Sequence, residues 1–245
     1  MPRYRDVQVS FGPPLTWAVR NLIIVTAAIF VLTYLPAVMF DWNSPFVLFG
    51  LRPFDVTHRF LIWQPVTYLF LHAGFFHVIF NLFALWMFGA ELERTWGPRQ
   101  FLFYFFLTGI GAAVFDVVLQ PSAASTTIGN SGAVYGILLA YGLLFPNRPI
   151  LLWLLIPVKA KWFVLAMGLI EFTSSFSNPG SKISHIAHLG GMLVGFLYLR
   201  GAGLPYRLQL RYHEWRRARL RKKFQVYMRK HDEKDENDKA GPWIN

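Results

Sequence analysis

Ser131 stands in the run Gly129-Asn130-Ser131-Gly132 at the start of an apolar segment, and His188 follows 57 positions later in Ala187-His188-Leu189-Gly190-Gly191, inside another. A hydroxyl and an imidazole are costly to place in hydrocarbon, so the default expectation is that they work there. Together they have the chemistry of acyl transfer, because a serine oxygen attacks a peptide carbonyl only when a base removes its proton. A third apolar stretch carries His77 and Asn81, four residues apart and therefore on one helical face, and both side chains can donate hydrogen bonds. With the backbone N–H of Ser131 they would form an oxyanion hole for the tetrahedral intermediate. Taken alone, the same pair would serve equally well as polar glue between helices. His72, just upstream, has the simpler role of tying down a neighbouring loop.

Small residues suggest how these groups meet. Ala187, Gly191 and Gly195 recur every fourth position on the last apolar segment, and Gly132 and Gly136 do so on the serine's segment. Two such smooth ridges suit close helix approach, which would bring Ser131 and His188 within hydrogen-bond reach. Tyr135, one turn beyond the serine, is placed to stack on the imidazole and hold its plane. His185 is the competing base, three residues earlier and nearer the outer loop. Asp116 and Glu171 lie on other segments and Glu91 and Glu93 at the opposite end, so the sequence predicts a Ser–His dyad without a carboxylate. The same distribution argues against a metal site. His72, His77, His185 and His188 could supply imidazoles, but a His-Glu-x-x-His helix with its glutamate base is missing. No metal and no cofactor is expected.

The elements that must position these residues are membrane spans. Of the 245 residues 54% are hydrophobic and 15% charged, and the imbalance is concentrated in long charge-free runs such as Leu22–Phe40, Gln64–Ala90 and Val117–Phe145. Runs near 20 residues match a hydrocarbon core of roughly 30 Å. Six spans are expected, at 17–38, 68–89, 100–120, 131–145, 160–175 and 184–199, the fifth interrupted by Glu171. The fold class is therefore an all-α polytopic membrane protein. The serine's segment is short for a full span, which would leave its N-terminus below the outer surface, at the bottom of a hydrated cavity.

An even number of spans puts both termini on one side. Arg3, Arg5, Arg20, Arg94, Arg99, Arg148, Lys159 and Lys161 fall there with the C-terminal tail, against Arg52, Arg59 and Lys182 opposite, so both termini are expected in the cytoplasm. The formal charge of +11 does not imply nucleic-acid binding: residues 200–245 carry 13 Lys/Arg against 6 Asp/Glu, beside the last span, where anionic lipid is the natural partner. The absence of cysteine excludes disulfides and thiol nucleophiles and leaves the compartment open. The resulting organisation is an N-terminal arm over 1–16, a membrane core over 17–200 and a basic tail over 201–245. Residues 41–65, apolar for a loop, are expected in the outer interface, and the run from Pro149 to Pro157 on the cytoplasmic face, too short to cross.

In order along the chain, Trp63, His72, His77-x-x-x-Asn81, Glu93-Arg94, Gly129-x-Ser131-Gly132 with Tyr135, and Ala187-His188-x-x-Gly191-x-x-x-Gly195 resemble the rhomboid family of intramembrane serine proteases. The resemblance covers roughly 60–200. It implies a six-helix bundle in the cell (inner) membrane, Ser131 as nucleophile, His188 as base, and His77, Asn81 and the Ser131 amide as oxyanion hole. It also implies cleavage of single-span membrane proteins near the outer end of their helix. Gln64 departs from the pattern, since the family often has arginine after the tryptophan; this bears on the outer loop rather than the dyad. Rhomboid-like proteins that bind membrane clients without cutting are the alternative; those typically lack the serine or the histidine, and this chain has both.

Overall fold

The computed structural model describes residues 13–152, 156–177 and 184–201. Most of the N-terminal arm, residues 178–183, expected to form an outer loop, and the basic tail lie outside them. Helix α1 (Trp17–Phe40) is followed by three short helices, α2 (Ser44–Phe49), α3 (Pro53–His58) and α4 (Gln64–Thr67). Next come α5 (Phe75–Ala84), a π-turn at Leu85–Gly89 and α6 (Ala90–Trp96), which run on as one 22-residue helix from Phe75 to Trp96. Then follow α7 (Pro98–Leu119), α8 (Ser131–Leu144), strands β1 (Pro149–Leu152) and β2 (Ile156–Lys159), α9 (Ala160–Ser177) and α10 (His185–Gly201).

Each of the six apolar segments forms a helix. Trp17–Phe40, Phe75–Trp96 and Pro98–Leu119 are long and apolar enough to cross a membrane, so the chain is a helical integral membrane protein. The second segment was expected from residue 68, yet its long helix starts at Phe75, because a 3₁₀ turn over Tyr68–Phe70 and extended backbone at Leu71 interrupt the apolar run. The all-α expectation is also corrected at one place. Residues Pro149–Leu152 and Ile156–Lys159 pair as an antiparallel ribbon, with Ile150 opposite Val158. Prolines at 149 and 157 remove amide donors and oppose helix, while the β-branched residues favour extended pairing.

Helix ends are fixed by polar contacts that apolar packing could not supply. The N-terminus of α1 is held by the Glu93 carboxylate, which accepts from the backbone N–H of Ala18 at 2.9 Å, from that of Val19 at 3.0 Å, and from the Thr16 hydroxyl. A carboxylate at a helix start satisfies amides with no intrahelical partner and meets the positive end of the dipole. Pro98 opens α7 after Gly97, whose φ of 85° suits glycine.

The segment over 41–65 is tied by a side chain that the sequence marked only as a departure. Gln64 is fully buried; its Oε1 accepts from the Arg52 N–H at 3.0 Å and its amide donates to the Leu48 carbonyl at 3.4 Å. The Trp63 indole donates to the same carbonyl at 3.0 Å. Asp55, also buried, lies between Arg52 and Arg59 at 3.4 and 3.3 Å. A neutral amide thus links this segment at its centre, with charge pairing beside it. Leu51 pairs with Thr127, and the Thr127 hydroxyl donates to Asp116 on α7 at 3.1 Å, which fastens the loop leading to Ser131.

Candidate active site

Ser131 is the first residue of α8, whose 14 residues make it about 21 Å long at 1.5 Å per residue. Gly129, two residues earlier, has a φ of 111°, where a side chain would be strained, and a Cβ there would lie 2.8 Å from Nε2 of His77. Only glycine lets the chain turn into α8 while passing that close to α5. The turn is also fixed by the Gly129 N–H donating to the Tyr68 carbonyl at 2.9 Å.

His188 comes from α10 and is buried; its Nε2 lies 2.7 Å from Ser131 Oγ. The Tyr135 ring stacks on the imidazole with centroids 4.3 Å apart and planes 16° apart, as its spacing suggested. The small-residue ridges meet only at one end. A Cβ on Gly132 would lie 3.4 Å from the Ala187 carbonyl oxygen, and one on Gly191 would overlap the Gly132 carbonyl. Further along, Gly136 and Gly195 both face Thr108 of α7, so α7 fills the space between the diverging helices. The contact at the near end is the one that seats His188 against Ser131.

His77 and Asn81 line the same cavity as Ser131 and His188, with a volume of about 1220 Å³. Asn81 Nδ2 donates to the His77 carbonyl at 3.0 Å, and both side chains converge on Gly129. His72 is sealed from solvent, makes no side-chain hydrogen bond among the described residues, and meets His77 edge-on at 4.9 Å between centroids. It supports His77 by packing and does not line the cavity.

The expectation that no carboxylate stands near the histidine is corrected. Helix α9 packs against α8, and Glu171, buried at its centre, places Oε2 3.0 Å from His188 Nδ1 and 2.6 Å from His185 Nδ1. Its other oxygen accepts from the Tyr135 hydroxyl. Spacing within one segment could not reveal this, because the partner lies on a different helix. A usable signal was present nonetheless: an acid in the middle of an apolar segment needs a partner. His185, the competing base, is engaged with Glu171, while the imidazole nitrogen at Ser131 belongs to His188. Glu171, His185 and His188 also form a donor set whose ligand atoms lie within 4.8 Å of one another, a spacing that admits a metal ion. Within that set, Glu171 Oε2 and His185 Nδ1 are already engaged with each other.

Residues 59–203, more than half of the chain, match the model of the rhomboid domain, and the chain belongs to the rhomboid family. Among its relatives are the rhomboid protease GluP of Bacillus subtilis, 29% identical over 164 residues that cover 65% of this chain and 30% of that protein. Rhomboid protein 1, mitochondrial, of Saccharomyces cerevisiae is 27% identical over 53% of this chain and 38% of its own length. Rhomboid-like protease 3 of Toxoplasma gondii is 25% identical over 75% of this chain and 69% of its own. The chain thus spans about a third of the length of the first two.

Proposed function

We propose that this chain is an intramembrane serine endopeptidase that hydrolyses single-span membrane proteins near the outer end of their transmembrane helix. The observation that carries the reading is the 2.7 Å approach of His188 Nε2 to Ser131 Oγ. Its setting adds support: the cavity exceeds the roughly 300–1,000 Å³ typical of small-molecule pockets, and so has room for an extended peptide and a water. Ser131 Oγ attacks the scissile carbonyl carbon as its proton passes to His188 Nε2. The oxyanion is received by His77, Asn81 and the Ser131 N–H. His188 then gives its proton to the departing amine, leaving an acyl-serine, and takes one from the water that hydrolyses this ester.

In this reading α8, α9 and α10 cross the membrane with the three longer helices, giving six spans over 17–200 with both termini cytoplasmic, in a cell (inner) membrane. The arm at 1–16 and the tail at 201–245 flank this core, and the tail's basic residues bind anionic headgroups. A fluorophosphonate probe tests the chemistry. Wild-type protein is expected to be labelled and to cut a single-span substrate in proteoliposomes, whereas Ser131→Ala is neither labelled nor active. Because nucleophile and base act as a unit, His188→Ala should lose as much cleavage as the double variant. A wild-type protein that binds such substrates without cutting them or reacting with the probe would be a client-binding member of the family instead.

A further inference from the structure

We propose that Glu171 is a positioning residue of the catalytic machinery, the carboxylate of a Ser131–His188–Glu171 triad supplied across the bundle by α9. The inference rests on the proposed peptidase reading and adds a third group to it. For Nε2 of His188 to take the serine proton, the ring must carry its own proton on Nδ1, and the partner of Nδ1 sets that tautomer. Nδ1 of His188 is buried and makes no aligned hydrogen bond among the described residues; the carboxylate oxygen 3.0 Å away faces it.

The carboxylate is itself held in place. Its Oε2 is 2.6 Å from Nδ1 of His185, and its Oε1 takes the Tyr135 hydroxyl, so donors from α8 and α10 fix an acid carried by α9. Tyr135 does double duty, stacking on the His188 ring while donating to the group that faces it. In the resting state Oε2 is engaged mainly by His185. When Ser131 transfers its proton, His188 becomes an imidazolium with a fixed anion 3.0 Å from its Nδ1, and the attraction strengthens at that moment. Stabilisation that grows as the reaction proceeds accelerates the chemical step. A purely architectural role, tying α9 to α10 through His185, would need no approach to His188.

The full-length protein in proteoliposomes tests this with Glu171→Gln and Glu171→Asp. The glutamine variant is expected to lose about 10²- to 10⁴-fold in kcat, as when the acid of a serine triad is neutralised, with KM within about threefold. Glutamine removes the carboxylate and aspartate keeps it, so the aspartate variant should recover part of kcat.

Wild-type protein carrying ¹⁵N-histidine supplies a measurement independent of any variant's folding. A neutral His188 protonated on Nδ1 supports the proposal, and one protonated on Nε2 overturns it. A folded Glu171→Gln protein with unchanged kcat overturns it as well, as does cleavage abolished by EDTA and restored by zinc, which would make the trio a metal site. Failure of Ser131→Ala to abolish labelling and cleavage would refute the peptidase reading itself. An inactive Ser131→Ala beside a fully active Glu171→Gln refutes the triad alone.

Discussion

Replacing Gly191 by alanine should separate base from nucleophile without touching either. A methyl group there would lie 2.8 Å from the Gly132 carbonyl carbon and 3.3 Å from its Cα, with the carbonyl oxygen nearer still, whereas ordinary contact begins near 3.4 Å. The atoms it meets are backbone, so no side chain can rotate away and α10 must back off from α8 by at least about 0.6 Å. His188 lies three residues earlier on the same helix face and starts 2.7 Å from Ser131 Oγ. The same displacement carries that pair past the roughly 3.2 Å limit of a good hydrogen bond. With misplacement of 1 Å able to cost about 10²-fold, kcat should fall about 10- to 100-fold. The overpacking should also cost about 1–3 kcal/mol of stability. Cleavage of a single-span substrate and thermal unfolding would be measured on the same preparations. Gly74→Ala is the control, since a Cβ there meets nothing within 4 Å. A Gly191→Ala protein that folds and cuts at the wild-type rate would refute the claim that this backbone contact sets the distance.

Two other expectations follow from the geometry. His77→Ala and Asn81→Ala should each slow cleavage by about 10²–10³-fold, the usual cost of one oxyanion donor, while probe labelling still distinguishes each from Ser131→Ala; wild-type rates in both would reduce the pair to packing. Glu93→Ala should destabilise the fold by about 2 kcal/mol, because hydrogen bonds to an ionised acceptor contribute about 1.5–3 kcal/mol and α1 loses three donors' partner. Turnover per folded molecule should stay unchanged, and an unchanged melting curve would show that α1 is anchored by its apolar face instead.

Much of the site was legible because its residues are costly where they stand. Ser131, His188, His77 and Asn81 interrupt apolar segments, and helical periodicity alone relates His77 to Asn81 and Ser131 to Tyr135. Contacts between helices were legible only where small residues mark a close approach, as at Gly132 and Gly191. Glu171 escaped because its meaning depends on how α9 is rotated against α8 and α10, and no single segment encodes that rotation. Gln64 escaped for a related reason: its amide bonds to Arg52 and Leu48, in turns whose shape the sequence did not show. The β-ribbon was hidden by a run of Leu and Ile equally suited to a helix lying on a membrane, and only its flanking prolines pointed elsewhere.

If the chain is the peptidase proposed above, the 57-residue separation of Ser131 from His188 also bears on when the molecule becomes dangerous to its surroundings. A chain synthesised from its N-terminus delivers the serine, its loop and both oxyanion donors well before the histidine that completes them. Until α10 enters and its glycine settles on α8, the nascent protein is inert toward every neighbour in the membrane. In that reading the arrival of α10 is the arming step, and a product truncated before it would be unable to cut.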